Sequence, residues 1–428
     1  MMEEFRLPEE VWLHVFQFLP TRDRLSVRSS CSLFMRLIDR PVFWKSSTLY
    51  IEKIRSFTSH SWRTLSSRKI GAVVVLRASE AEWRQLAVRL PWLHSVTARV
   101  CCVRALNALT EFKNLRSLSI QRGECPSLTP LSALRDLTHL SLCEVQCSPA
   151  LNMINALSQL SYLTSLHYHA CGKPIPTAAF HHLLKSLPRL QKLSLKMGSG
   201  QGPASEDALF RPQANHMPEE LQCRIPALTS LELLNYIDPI LSPVALQGLP
   251  SLRLLTVQYR GWHLDPFLFH LKKWLTTVPL LSVLNISLGY RLGLYANLVP
   301  ATVHHLSLKR VIADSKALRD LAQRVPDLLH LHLDLNSYKR QSFIAAVPHL
   351  FPKLESLVVR HNTVTVEEFL GLAQLSHLKH LVVLYPTTIQ NAALMDLTEE
   401  LRLQTNYRLN VIHSVGQKDP NVCLCVND

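Results

Sequence analysis

One arrangement of apolar positions recurs along most of the chain: an aliphatic residue, two variable residues, an aliphatic, one variable residue, an aliphatic. It appears at Leu93-Val96, Leu115-Leu118-Ile120, Leu137-Leu140-Leu142, Leu163-Leu166-Tyr168, Leu190-Leu193-Leu195 and Leu228-Leu231-Leu233. It continues at Leu252-Leu255-Val257, Leu281-Leu284-Ile286, Val303-Leu306-Leu308, Leu328-Leu331-Leu333, Leu354-Leu357-Val359 and Leu378-Leu381-Val383. First positions step by 22, 22, 26, 27, 38, 24, 29, 22, 25, 26 and 24 residues, and a weaker copy, Ile70-Val73-Val75, lies upstream. Twelve phased copies are an internal repeat, not chance. The end of each copy alternates as a strand does, with every second side chain pointing inward. Between copies, apolar residues at three- and four-residue spacing predict helices over 80–90, 178–187, 267–278, 316–325 and 366–375. Pro91, Pro188, Pro226, Pro250, Pro279, Pro326 and Pro352 each stand two residues before the first aliphatic of a copy. Proline lacks a backbone donor and disfavours helix at the residue before it, so these prolines stop the upstream helices.

The period and pattern resemble leucine-rich repeats, in which a single unit cannot bury its apolar edge and neighbours stack to form one core. The expected fold is α/β: a leucine-rich-repeat solenoid over 47–412 with about 12–14 repeats, parallel strands on the concave face and helices on the convex face. The long step after Leu190 comes from an insertion at 197–224, rich in Gly, Pro and Ser. It reads as a surface loop, which costs little and is also where binding surfaces are added. Leu409 and Val411 mark a last strand, and 413–428 reads as a C-terminal tail.

Residues 1–46 do not follow the repeat. Pro8 with Glu9 and Glu10 marks a helix start, with acids at the positive dipole end. Val11, Trp12, Val15, Phe16 and Leu19 make a broad apolar stripe that ends at Pro20. Thr21 is placed to cap a second helix with Leu25 and Val27, and a third carries Leu33, Phe34, Leu37 and Ile38. A module this short cannot cover so much apolar surface by itself, which points to docking. Its residues resemble an F-box: Leu7-Pro8-Glu9-Glu10-Val11, Val15-Phe16, Leu19, Asp23-Arg24-Leu25, Cys31 and Phe43-Trp44. Two departures stand out. Arg24 replaces the first leucine after the aspartate, and Ser30 and Phe34 replace the valine and tryptophan that flank Cys31.

The resemblance implies the substrate-recognition subunit of an SCF-type (Skp adaptor–cullin–F-box) ubiquitin ligase, with the small all-helical F-box module docking on a Skp-type adaptor and, through it, on the cullin–RING core. It implies that Leu7, Pro8, Val11, Val15, Phe16, Leu19 and Leu25 form the adaptor contact, with Arg24 expected to weaken affinity without abolishing it. The same residues are open to a second reading, a helical cap packed on the first repeat.

Composition adds one feature. Lys and Arg number 46 against 32 acids, a net charge of +14, which suggests acidic partners without naming one. The third, fifth and seventh positions of each copy project onto the concave face. They hold His139, His167, His169, His305, His330, His332 and His380, seven of 20 histidines, together with Arg99, Lys192, Lys196, Lys309 and Arg360. Glu232 and Asp334 are the acids there. This basic, titratable face is the expected substrate site, complementary to an acidic or phosphorylated protein segment.

Other chemistry is sparse. His167 and His169 with Cys171, and His330 and His332 with Asp334, sit at alternating positions, but neither set shows four ligands, so no metal or other cofactor is expected. Cys143 with Cys147 reads as structural. Phosphate-binding loops, HExxH, GxSxG and GxGxxG motifs do not occur, so the chain reads as a non-catalytic subunit. Cys425 lies fourth from the end, yet Asn427 and Asp428 fit prenylation poorly and a frayed tail is expected. The acidic start Met1-Met2-Glu3-Glu4-Phe5, dilute cysteines and short aliphatic runs give a cytoplasmic and/or nuclear protein with reduced thiols and no membrane partner. A competing function stays open: a leucine-rich-repeat scaffold binding an acidic protein or nucleic acid, the latter disfavoured by the lack of aromatic interleaving.

Overall fold

The computed structural model describes residues 7–99, 102–124, 127–146, 150–169, 177–196, 226–238, 241–261, 267, 269–336, 343–360, 364–384 and 392–414. The insertion at 197–224, Cys171, Cys147, Cys423 and Cys425 lie outside them. The chain divides into two units, Met1–Leu163 and Thr164–Asp428.

The first unit opens with three helices, α1 (Glu9–Gln17), α2 (Thr21–Arg28) and α3 (Ser32–Ile38). Pro20, not Thr21, holds the cap position of α2, and Thr21 is its first helical residue. Five parallel strands follow: β1 (Thr48–Ile51), β2 (Ala72–Val75), β3 (Ser95–Ala98), β4 (Ser117–Glu124) and β5 (His139–Gln146). Helices α4 (Ser59–Arg68), α5 (Glu80–Arg89), α6 (Val103–Leu109) and α7 (Ala150–Leu157) connect or follow them. The register aligns Leu49, Val73, Val96, Leu118 and Leu140, so the fourth repeat position forms an aliphatic ladder. Trp83 and Leu86 of α5 are fully buried and complete this core. Ser79 and Glu82 form a reciprocal capping box that fixes where α5 begins.

The second unit repeats the scheme with ten parallel strands: β6 (Ser165–His169), β7 (Lys192–Lys196), β8 (Ser230–Tyr236), β9 (Leu254–Tyr259), β10 (Val283–Ser287), β11 (His305–Ile312), β12 (His330–Asn336), β13 (Ser356–Arg360), β14 (His380–Leu384) and β15 (Asn410–Ser414). The ladder runs from Leu166 through Leu193, Leu231, Leu255, Leu284, Leu306, Leu331, Leu357 and Leu381 to Val411. Consecutive copies are also laced at the second position. The His304 carbonyl, for example, accepts from the Leu329 and His330 amides, both at 3.0 Å.

The connections are α8 (Thr177–Ser186), α9 (Leu271–Thr277), α10 (Ser315–Arg324), α11 (Val347–Leu350), α12 (Val366–Gly371) and α13 (Ala392–Gln404), interspersed with short 3-10 turns. The helix expected over 267–278 is described only as Leu271–Thr277, and the one over 366–375 ends as a 3-10 turn at Leu372–Gln374. Tyr236, Tyr259, Tyr290, Tyr295 and Trp274 form an aromatic core here. Within it the Tyr236 hydroxyl donates to Asp238 at 3.1 Å and accepts from the Leu241 amide at 3.2 Å.

The eighth repeat position is a second regularity. Arg122, Glu144, Asn235, Leu288 and Arg310 all occupy it with φ between +50° and +61°. This left-handed residue kinks the strand end and shifts the register, between Lys309 and Val311 and again between Leu233 and Tyr236. The residues at this position are not glycine. Among the described residues no helix is long and apolar enough to cross a membrane.

Candidate functional site

Two surfaces carry the candidate residues. The first is the N-terminal module. At 100° per residue, α1 presents two adjacent apolar stripes. Trp12 and Phe16 turn inward. Phe16 is 2% exposed and packs edge-on against Phe34 (5.2 Å) and stacked on Trp12 (5.7 Å), with Leu37, Ile38, Phe43 and Trp44 buried beside it. Leu7 and Pro8 precede the helix, and Leu7, Val11, Val15 and Phe18 stay in water, Phe18 at 76% exposure. Leu19 is half-buried, Leu25 is exposed, and Met35 and Val42 add further exposed apolar surface. Of the seven sequence-predicted adaptor residues, Phe16 therefore belongs to the module's core while the others reach the surface. Phe18 escaped the sequence reading because it falls beside the stripe centred on Trp12 and Phe16.

Arg24 explains how the module is held without the leucine that F-boxes carry there. Its guanidinium donates to the carbonyls of Phe16 (3.1 Å), Gln17 (3.0 Å) and Phe43 (3.1 Å), and lies over the Phe43 ring at 5.3 Å. Those first two carbonyls are in the last turn of α1; that of Phe16 also accepts from the Leu19 amide at 3.3 Å, and a cation there complements the helix dipole.

Asp39 joins the module to the first repeat. It accepts from Arg28 of α2 at 2.8 Å to each carboxylate oxygen and from Arg68 of α4 at 2.8 Å, and Arg68 also stacks on Trp44 at 4.0 Å. Burial alone would raise the Asp39 carboxyl; the hydrogen bonds from Arg28 and Arg68 outweigh it and hold the group below the usual carboxylate range.

The second surface is the strand face that carries repeat positions three, five and seven. In the first unit Arg99 is half-exposed and His139 exposed, the latter's Nδ1 lying 2.8 Å from the Thr138 hydroxyl. The second unit holds two groups. On β11 to β14, His305, His330, Ser356 and His380 share one row, and Ser307, His332, Val358 and Val382 the next. Arg360 donates twice to Asp334, at 2.7 and 2.8 Å, so that pair neutralises itself, while Lys309 is exposed. On β6 to β8, His167, Ser194 and Glu232 share a row, and His169 and Lys196 the next. Here His169 is fully buried, its Nε2 is 2.7 Å from the Ser194 hydroxyl, and that hydroxyl donates to Glu232 at 2.5 Å. Lys192 is exposed and Lys196 half-exposed.

The titratable character expected for this face changes at three positions. Burial first, then the charges of His167 and Lys196, pushes the His169 imidazole down to about 3. His332 is pushed down to about 4, by burial and then by Lys309. His305 is lowered as well, by burial and by its neighbour His330. All three are neutral at pH 7, so the lasting positive charge of the face rests on its lysines and on Arg99. Cys143, expected as a reduced structural thiol, is buried and disulfide-bonded.

Residues 5–50 match the F-box-like family model. No curated protein matches the sequence significantly. Solved structures similar to the chain include an internalin from Listeria monocytogenes, 15% identical, covering 80% of this chain and 90% of that one, with a TM-score of 0.40. Another is a chain of the Rad7 and Elc1 complex from yeast, 16% identical, covering 83% and 89% respectively, with a TM-score of 0.49. The protein thus carries an F-box-like domain followed by stacked strand–helix repeats of leucine-rich-repeat type.

Proposed function

We propose that the chain is the substrate-recognition subunit of an SCF-type ubiquitin ligase, a binding subunit with no catalysis of its own. The module docks on a Skp-type adaptor through Leu7, Pro8, Val11, Val15, Leu19 and Leu25, with Phe18 at the centre of the contact. Phe16 supports that surface from beneath. The adaptor connects the chain to the cullin–RING core, and the lysine- and histidine-bearing strand face holds an acidic or phosphorylated protein segment.

The observation that carries this reading is the exposed apolar ridge of α1 within a segment that matches the F-box-like family. That Leu7, Val11, Val15 and Phe18 stay in water in a domain of this size supports the reading of an interaction surface. Copurification tests it. Adaptor and cullin should accompany the full-length chain and be lost from the Leu7→Ala/Pro8→Ala variant; their absence from the wild-type eluate would sink the proposal.

A further inference from the structure

The group on β6 to β8 has the makings of a site of its own. His167 and His169 lie two residues apart on one strand and therefore project from the same face. Glu232 reaches the same place from β8, in register with His167 through Ser194 on the intervening β7. The intervening residue is small, so the longer side chains on either side meet above it. One ligand atom from each of His167, His169 and Glu232 lies within 4.8 Å of the other two. Among the described residues this trio forms a cluster of metal-ligating side chains close enough to share an ion.

We propose that His167, His169 and Glu232 bind one divalent metal ion of borderline softness, zinc foremost, and leave a coordination position open.

The donor set argues for that class. Two imidazole nitrogens and one carboxylate suit zinc and its first-row neighbours, whereas calcium and magnesium require oxygen cages. Zinc–ligand bonds of about 2.1 Å place tetrahedral ligands about 3.4 Å apart, so closing around an ion draws the trio's ligand atoms, now within 4.8 Å of one another, together by about 1.4 Å at most. Glu232 supplies the negative charge that offsets nearby Lys196. Ser194 already hydrogen-bonds both His169 and Glu232, and in the loaded site it orients those two ligands from the second layer. Three protein ligands with a fourth position open is the arrangement in which a zinc ion accepts an outside ligand, here a carboxylate or phosphate oxygen.

The full-length chain, stripped with chelator and desalted, is titrated with zinc chloride and, separately, cobalt chloride. The expected result is retention of one zinc per chain and a cobalt absorption spectrum of low-coordinate type. Glu232→Gln keeps the side chain's size, and it should weaken zinc binding at least about 100-fold while the melting temperature in chelator stays unchanged. Should that variant not fold, His167→Gln, at a half-exposed ligand, carries the same expectation. His305→Ala/His330→Ala removes another histidine pair and should leave zinc binding intact. Failure to retain zinc, equal retention by the ligand variants, or equal loss in the His305→Ala/His330→Ala control would each overturn the assignment. These outcomes are independent of adaptor binding.

Discussion

Arg24 and Asp39 show how single charged residues organise the module. Read from the sequence, Arg24 is a departure from the F-box pattern; in the fold it satisfies three backbone carbonyls, two of them at the end of α1. That role was not legible because it depends on where α2 lies against α1. Arg24→Leu restores the residue usual in the family, yet it should lower module stability by about 1 kcal/mol, since the carbonyls lose charged donors. Thermal melting of the variant checks this, and an unchanged melting temperature would contradict it. Asp39→Asn should likewise cost about 1 kcal/mol, partial exposure keeping the figure modest. The sign with pH is fixed. Its folded-state pKa is depressed, so the stabilisation is present at neutral pH and disappears as the pH falls from about 4 through the lower folded value. The stability difference between wild type and Asp39→Asn should therefore vanish in strong acid. His332 acts in the neighbouring, higher pH window with the same sign: its folded pKa is lowered to about 4, so stability is lost as the pH falls from about 6.5 toward 4. A His332→Gln variant should flatten that slope in chemical denaturation.

Among the elements, the strands were the most legible, because the aliphatic ladder is written into positions one, four and six of each copy. The first strand, β1, escaped because its copy has Ser46 where the leading aliphatic belongs, leaving Leu49 and Ile51 without a recognisable frame. The recurrent left-handed residue was hidden for a related reason: Arg122, Glu144, Asn235, Leu288 and Arg310 share a backbone conformation but no side-chain chemistry. Helix α1 shows a different gap. Periodicity reveals a wide apolar stripe, but which half is covered depends on α3 and the Phe43-Trp44 segment, so Phe16 and Phe18 could not be told apart from spacing. Gly289 offers a test of the packing behind these strands. It sits at φ +80°, and a Cβ added to it would fall 2.3 Å from the Tyr259 ring. Gly289→Ala should destabilise the protein by about 2 kcal/mol or more, measured by denaturant unfolding, through backbone strain together with displacement of that ring. A neutral result would mean the aromatic core yields freely.

At the scale of the molecule, an exposed apolar ridge and a lysine-bearing strand face lie on different segments of the chain and differ in chemistry, which suits them to different partners. The strand-face candidates were legible in the sequence as residues but not as groups. His169 and Glu232 meet across β7 although the insertion at 197–224 separates them in the chain, and Arg360 turns out to be occupied by Asp334. Lys309→Ala with His330→Ala should therefore reduce capture of an acidic substrate segment about tenfold or more while adaptor binding is unchanged. Equal capture by wild type and variant would move the substrate site elsewhere. Whether the N-terminal ridge holds an adaptor is decided by calorimetry of the purified full-length chain against a purified Skp-type adaptor. The expected result is a one-to-one complex that Val11→Asp/Val15→Asp weakens at least about 100-fold, since two charges would be buried unpaired. A wild-type chain that does not bind, or a variant that binds as tightly, would contradict it.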